Sequence, residues 1–276
     1  MRSVKSLIAA GAASLLSSMA FAADMAIAPP PMPYAPPVAD FGGWYLRGDI
    51  GMTNQKINSL NNPDPNAVLF TPVGMGFDSS TLFDLGIGYQ FNNWFRADFT
   101  AQWRGRANFH GSQFTDAFAG SALVDNYSGS KSEAVLMAHG YVDLGTWWCV
   151  TPFIGAGIGT SYNRISGFRD DGLRNDFGLP GASSVVYAAD NGKWNFAWAL
   201  HAGLAYRVTP GVTLELGYSY MNLGDATTGF NTNFGGGPTP QFPWTMRGIT
   251  SNDFTLGVRW NLDSPQIYAP PLVTKG

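Results

Sequence analysis

The chain has 276 residues, a formal net charge of −3 at pH 7 and only 13% charged residues. This mildly acidic charge without a Lys/Arg block argues against nucleic acid as a partner, and a single cysteine, Cys149, excludes an internal disulfide. The 34 glycines and many aromatic residues beside so few charges are typical of a β-barrel whose outer wall faces lipid.

The chain begins with the pattern of an export signal. A basic head and an apolar stretch over residues 7–16 end at small residues, Ala20 and Ala22, in the positions that signal peptidase reads. The apolar stretch is shorter than the roughly 20 residues that a retained membrane anchor needs. We therefore predict a signal peptide over residues 1–22, cut between Ala22 and Ala23.

Proline-rich segments flank the central part of the chain. Residues 23–42 and residues 264–276 share the run Tyr-Ala-Pro-Pro, and proline-rich chain favours an extended polyproline form over paired strands. The sequence predicts a periplasmic linker over residues 23–42, a transmembrane domain over residues 43–263 and a C-terminal tail over residues 264–276.

Eight segments of the central domain alternate apolar and polar residues with period two, which is the pattern of β-strands. The third is the clearest, since Phe95, Phe99 and Trp103 alternate with Arg96 and Asp98. In chain order the predicted strands cover residues 44–53, 83–90, 95–104, 133–144, 150–159, 195–207, 212–220 and 253–262.

The charges within these segments all fall on one face. Aromatic residues such as Trp44, Trp103 and Trp260 end the opposite, apolar rows. A soluble β-sandwich also alternates but does not usually carry such aromatic girdles. An uncharged outer band belongs to a lipid-facing barrel, where a midplane Arg or Lys costs about 2–4 kcal/mol. The residues predicted to form a charge network in the lumen are Arg47, Asp49, Asp84, Arg96, Asp98, Arg104, Glu133, His139, Asp143, His201, Arg207, Glu215, Asp253 and Arg259.

Connection lengths alternate between short turns and links of about 25–30 residues, far above the usual hairpin length. Short periplasmic turns and long extracellular loops are typical of outer-membrane barrels, and an even number of strands leaves no unpaired edge in lipid. The sequence therefore predicts an all-β fold, an eight-stranded antiparallel up-and-down transmembrane β-barrel in the cell outer membrane of a Gram-negative bacterium. Its environment would be outer-membrane lipid and lipopolysaccharide.

Four of the predicted strands resemble a known family. The runs GWYLRGDIG at residues 43–51, TPFIGAG at 151–157, LELGYSY at 214–220 and FTLGVRW at 254–260 are similar to strands of opacity-type (OmpA-like, porin-family) outer-membrane β-barrels of alphaproteobacteria. The resemblance implies an abundant surface protein with a structural, permeability or adhesive role, inserted by the barrel-assembly machinery. One departure is that the chain continues to Gly276 instead of ending on the aromatic residue that this machinery reads.

The predicted mature N-terminus has a further resemblance. An Ala23-Asp24 start is similar to the N-terminus through which some alphaproteobacterial barrels are joined covalently to peptidoglycan. Ala23 is therefore the predicted attachment site. The alternative is that the linker only serves assembly.

Catalytic chemistry has little support in the sequence. Of the three histidines, His139 and His201 lie in the predicted lumen, where hydrogen bonding explains them, and His110 precedes Ser112 in a predicted mobile loop. Loop acids such as Asp170 are expected at the solvated surface. We predict no enzyme activity and no catalytic, cofactor-binding or metal-binding residues.

An eight-stranded barrel has an interior only just wide enough for its own side chains. Mixed inward charges should pair there and plug it, because unpaired buried charges are costly. The sequence favours a non-enzymatic protein with a structural role in the envelope, and the Ala23 start adds the hypothesis that it is tethered to peptidoglycan. The alternatives are an adhesin that contacts a host surface through four extracellular loops, or a small porin.

Overall fold

The structure is a computed structural model that describes residues 43–61, 71–118, 121–176, 179–233 and 242–263. The predicted signal peptide with its cleavage site, the linker and the C-terminal tail lie outside the described residues. Among the described residues, no helix is long and apolar enough to cross a membrane.

Most of the described chain forms antiparallel strands. Their bounds are β1 Gly43–Lys56, β2 Ser59–Asn61, β3 Thr71–Phe77, β4 Ser80–Gln90, β5 Phe95–Phe118, β6 Ser121–Asp143, β7 Val150–Asp176, β8 Leu179–Ala188, β9 Asn191–Thr209, β10 Val212–Thr227, β11 Asn231–Asn233 and β12 Thr245–Asn261.

Eight of these strands close into a ring. The neighbours run β7-β6-β5-β4-β1-β12-β10-β9, and pairing of β9 with β7 completes the circle. The first and last ring strands pair in register, with Tyr45 opposite Asn261 and Lys56 opposite Thr250. The predicted eight-stranded antiparallel barrel is therefore confirmed.

The two faces of the ring differ as the alternation predicts. On the outer face, Leu85 and Phe254 are 72% and 63% exposed, whereas the inward Arg96, Arg104 and Asp253 are almost completely buried. Aromatic pairs such as Trp44–Tyr89 form the rim near the short turns. Pleating alone produces this separation, because successive side chains of a strand point to opposite faces.

The prediction of long loops is wrong over most of their length, because the ring strands continue into these segments. Strands β5, β6 and β7 have 24, 23 and 27 residues. Short strands add to the sheet, with β2 paired to β12, β3 to β5, β8 to β7 and β11 to β8. The name "head" is used here for this β-structured part, the described portions of residues 57–79, 105–132, 163–193 and 223–250. His110 lies in β5 within the head, not in a loop.

Two β-bulges mark the base of the head. On β5, Arg104 pairs with Glu133 but the next pair is Ala107 with Lys131, so β5 carries one extra residue. On β7, Gly167 has a φ of 60° at a similar irregularity. An extra residue shifts the alternation by one, which is why inward positions change from even to odd numbers along β5.

Aromatic side chains fill much of the inside of the head. Phe109, Tyr127, Phe168 and Trp244 are at most 5% exposed, with the Tyr127 and Trp244 ring centroids 5.0 Å apart. They belong to one buried cluster that continues downward to Met137 in the barrel. The head therefore has its own packed core, of the kind found inside soluble domains.

Candidate functional site

The lower half of the lumen, near the short turns, holds a cluster of ion pairs that we name the lower cluster. Its members are Arg47, Asp49, Arg96, Asp98, Asp143, Glu215 and Arg259. Glu215 lies among three guanidinium groups, 3.8 Å from Arg47, 3.4 Å from Arg96 and 3.5 Å from Arg259. Each cation therefore shares this one carboxylate.

The remaining acids divide between two arginines. Arg47 Nε lies 3.0 Å from Asp49 Oδ2, and Arg47 Nη1 lies 3.0 Å from Asp98 Oδ2. Arg96 Nε lies 3.4 Å from Asp143. Because the side chains of these residues are at most 10% exposed, their mutual attraction is weakly screened and their charges depend on one another.

Aromatic rings wall in this cluster. The Arg96 guanidinium lies 4.2 Å from the Tyr141 ring centroid and 4.8 Å from that of Phe153. The rings fit because glycines face them: a Cβ on Gly155 would be 2.4 Å from Tyr141, and one on Gly203 would be 2.5 Å from Phe153. These lumen glycines therefore admit the rings that hold Arg96 in place.

A second group of ion pairs, the upper cluster, lies toward the head and consists of Arg104, Lys131, Glu133 and Asp253. Arg104 pairs with Asp253 and lies 3.6 Å from Glu133. Lys131 pairs with Glu133 and donates to Gln55 Oε1 at 2.9 Å. The sequence reasoning missed Lys131, although it continues the inward alternation of residues 133 and 135.

Two histidines lie between the clusters and bond to each other. His201 Nε2 lies 2.9 Å from His139 Nδ1, and His201 Nδ1 lies 2.7 Å from Ser219 Oγ. His139 Nε2 lies 3.1 Å from Thr100 Oγ1. The Ser219–His201 contact has the geometry of a nucleophile and its base, but the cavity beside it is only about 30 Å³. That is room for about two water molecules and for no substrate.

Three sequence-predicted positions differ from expectation. Asp84 is buried in the lumen, yet it makes no ion pair among the described residues, and its Oδ1 has no hydrogen-bond partner. Arg207 is exposed and lines a cavity of about 320 Å³ at the lower rim, outside both clusters. Asp170, expected at the surface, is only 9% exposed inside the head.

The head encloses a pair of carboxylates. Asp125 on β6 and Asp170 on β7 both face inward and are under a tenth exposed. Burial raises the pKa of Asp125 to about 6. Burial, together with the charges of Asp125 and Asp171, raises the pKa of Asp170 to about 8. These acids lie well beyond the aromatic rim, and desolvation disfavours their charged forms. Among the described residues, no group of three or more His, Cys, Asp and Glu is arranged to hold a metal ion.

An apolar layer lies between the histidines and the upper cluster. Val135, Met137 and Leu223 are at most 1% exposed and fill the barrel just above the histidines. The sequence analysis placed Met137 in the inward row but described the lumen only as a charge network, so the apolar layer was not predicted. The signal was available on β6, where Val135 and Met137 share the inward row of Glu133.

The filled lumen predicts that the protein does not conduct ions. Purified protein in planar lipid bilayers should show no stable, reproducible conductance, because the ion pairs and the apolar layer leave no continuous space. Sustained channels of one fixed size would contradict this expectation. Denatured protein added at the same concentration controls for bilayer leak.

Comparisons with known proteins agree with the barrel. A family model described as "Outer membrane protein beta-barrel domain" matches residues 8–261. A Brucella suis protein of uncharacterised role is 30% identical over 224 residues, 75% of this chain and 76% of that protein. A Rickettsia bellii protein whose name proposes it as an adhesin is 30% identical over 240 residues, 81% of this chain and 91% of that protein. Among solved structures, Neisserial surface protein A is similar with a TM-score of 0.44 at 17% identity, covering 81% of this chain and 100% of that chain.

Proposed function

Because this chain belongs to the outer membrane protein beta-barrel domain family, we propose that it is a contact protein of the cell outer membrane, an adhesin that binds another surface through its head. The observation that carries this proposal is the packed, β-structured head itself. A barrel needs only short connections to close, so a long ordered extension requires a role outside the membrane.

The head reaches far beyond the bilayer. From the outward Trp103 to Phe118, β5 continues for about 50 Å at roughly 3.3 Å per residue, less when tilted. Strands β6 and β7 accompany it in register, with Phe114 opposite Val124 and Val124 opposite Leu173. A projecting sheet with a packed interior presents a preorganised surface, which lowers the entropy cost of binding.

The outer surface of the head has the composition of a binding surface. Tyr187 and Phe230 are 47% and 65% exposed, and Leu173 is 57% exposed. The Arg169 guanidinium lies 5.7 Å from the Tyr187 ring centroid and pairs with Asp171 at 2.7 Å. Aromatic and arginine side chains are enriched where proteins bind each other.

The lumen supports neither a porin nor an enzyme. Its two ion clusters and apolar layer leave about 30 Å³ beside His139 and His201. His110 is exposed on the head, where its nearest acidic partner is Asp78 at 3.7 Å. The name of the Rickettsia bellii relative proposes the adhesive role for that protein, which supports the same role here.

Two finer expectations stay predictions. An opacity-type identity within the family rests on the four strand motifs. A structural role through attachment of Ala23 to peptidoglycan, and contact with the barrel-assembly machinery, concern residues or partners outside the described structure. An adhesive role of the head does not exclude attachment of Ala23 to peptidoglycan, because the two roles use different residues.

The experiment shortens the β5–β6 hairpin. Phe109 and Gly129 are register partners, so residues 110–128 can be replaced by Asn-Gly, a turn that suits a two-residue hairpin. All residues of both ion clusters lie outside the replaced segment. Displayed on a non-adherent bacterium, the full-length protein should mediate binding to cultured epithelial cells. The shortened protein should not, because it lacks Val124 and Ser128, the register partners of Leu173 and Arg169 on β7.

Arg207→Ala is the matched control, because Arg207 lies at the opposite rim and makes no ion pair among the described residues. Its adherence should equal that of the full-length protein. Heat-modifiable gel mobility checks that every variant is folded, and detergent sensitivity of the displaying cells reports envelope integrity. Equal adherence of the shortened and full-length proteins would refute the adhesive role, as would full-length protein that confers no binding.

A further inference from the structure

A groove of about 750 Å³ runs along the outer wall of the barrel. Its body is apolar and crosses β4, β1, β12 and β10. The apolar lining side chains are Ile50, Met52, Phe83, Leu216, Phe254 and Leu256. All six are more than half exposed, so nothing within the described chain covers them.

Side-chain size at paired positions creates the groove. On one register row Ile50 lies between Phe83 and Leu256, whereas on the next row Met52 lies between Thr81 and Phe254. The small Thr81 beside the large Phe83 leaves a gap in the wall. The groove is therefore a shallow, open depression bordered by two phenylalanines.

The position of the groove decides what can fill it. The apolar outward row of β1 begins at Trp44 and ends at Met52, and the groove occupies the half of that row nearer the head. In an outer-membrane barrel this half faces the outer leaflet. Water does not compete for an apolar surface at this depth, so a lipid chain is the available occupant.

The upper edge of the groove is polar. Asn54 and Asn252 are register partners there, and Ser79 and Thr81 line the same edge. The Tyr218 hydroxyl donates to Asn252 Oδ1 at 2.7 Å, which leaves the Asn252 amide hydrogens as donors. An acyl chain has a hydrocarbon part and a carbonyl linkage above it. The apolar walls of the groove suit the hydrocarbon part, and the amide donors above them suit the carbonyl.

We propose that this groove is a binding site for one acyl chain of an outer-leaflet lipid, with the ester or amide carbonyl of the chain at Asn54 and Asn252. The chain lies along Ile50, Met52 and Leu256 between the two phenylalanines. Of its lining residues only Ser79 belongs to the head and none to the ion clusters of the lumen, so the site does not depend on the adhesive function.

Native mass spectrometry of full-length protein, isolated from outer membranes in mild detergent, tests the site. Wild-type protein should retain an acyl lipid. Thr81→Trp should fill part of the groove and lower the retained fraction about tenfold, because excluding a few methylene groups from an apolar surface changes affinity by that factor. Thr160→Trp is the matched control: Thr160 is also outward and exposed, but on β7, opposite β1 in the ring.

Organic extraction of the same samples identifies the lipid as the outer-leaflet glycolipid or a glycerophospholipid, either of which supplies the acyl chain. Asn54→Leu is the second variant, for use if Thr81→Trp fails to give heat-modifiable mobility, and it should also lower retention by removing a donor. Wild-type protein free of lipid would overturn the proposal. The proposal would also be overturned if Thr81→Trp retained as much lipid as Thr160→Trp, or if Asn54→Leu retained as much lipid as the wild type.

Discussion

Glu215→Gln is expected to lower the free energy of unfolding by about 3–5 kcal/mol, the usual cost of removing one partner from a buried ion pair. The substitution keeps the shape of the side chain but removes the charge that Arg47, Arg96 and Arg259 share. Thermal unfolding in detergent, followed by circular dichroism of the β-sheet signal, measures the loss.

Asp84→Asn is the control for this prediction. Asp84 is also a buried lumen carboxylate, but it makes no ion pair among the described residues and lies directly opposite Asp49 in register. Like charges directly opposite each other destabilise a sheet, so this variant should unfold at the wild-type temperature or above it. A Glu215→Gln melting temperature equal to that of Asp84→Asn would show that Glu215 is not needed for pairing.

Acidification from pH 8.5 to pH 5 is expected to stabilise the head. The folded-state pKa values of Asp170, about 8, and Asp125, about 6, exceed the value of about 3.9 for an unfolded aspartate. A carboxyl whose pKa is raised by folding contributes stability below its unfolded pKa, and this contribution is lost as pH rises through the folded pKa. The stability should therefore fall between pH 4 and pH 8, by at most about 1.4 kcal/mol per pH unit for each titrating group.

Asp170→Asn isolates this effect, because it removes the group with the higher pKa and keeps nearly the same shape. Melting temperatures at a series of pH values should show a flatter profile for the variant than for the wild type between pH 6 and pH 8. Asp125, Asp171 and Tyr127 are the other titratable groups near Asp170 on the strands packed against it, and all three remain in the variant. Identical slopes for the two proteins would contradict the assignment to Asp170.

The ring strands could be predicted from the sequence because a lipid-facing wall requires an apolar side chain at every outward position and allows charged ones only at inward positions. On β5 the row from Phe95 to Trp103 must be apolar and its neighbours can be charged, so the alternation is visible without any alignment. The lumen position of Arg96, Glu215 and Asp253 follows from that rule alone. Which of these residues form ion pairs with one another does not follow from it, because partners on different strands meet only through the register and tilt of the closed ring.

The head could not be read in the same way. One extra residue near Gly105 on β5 and another at Gly167 on β7 shift the alternation by one. An alternation extended from the barrel strands therefore assigns the wrong face to every residue beyond these bulges. Beyond the bulges large apolar side chains such as Phe109 and Phe168 face inward, whereas in the barrel such side chains face outward. The burial of Asp170 likewise depends on the packing of several strands and has no local signature.

The sequence by itself determined that this protein is an outer-membrane barrel of eight ring strands with a charged lumen, since period-two alternation, aromatic rims and connection lengths are properties of neighbouring residues. The tertiary structure alone decided that Glu215 serves three arginines, that an apolar layer closes the lumen and that the predicted loops form a packed head. Each of these depends on contacts between residues far apart in the chain, which strand register and ring closure create.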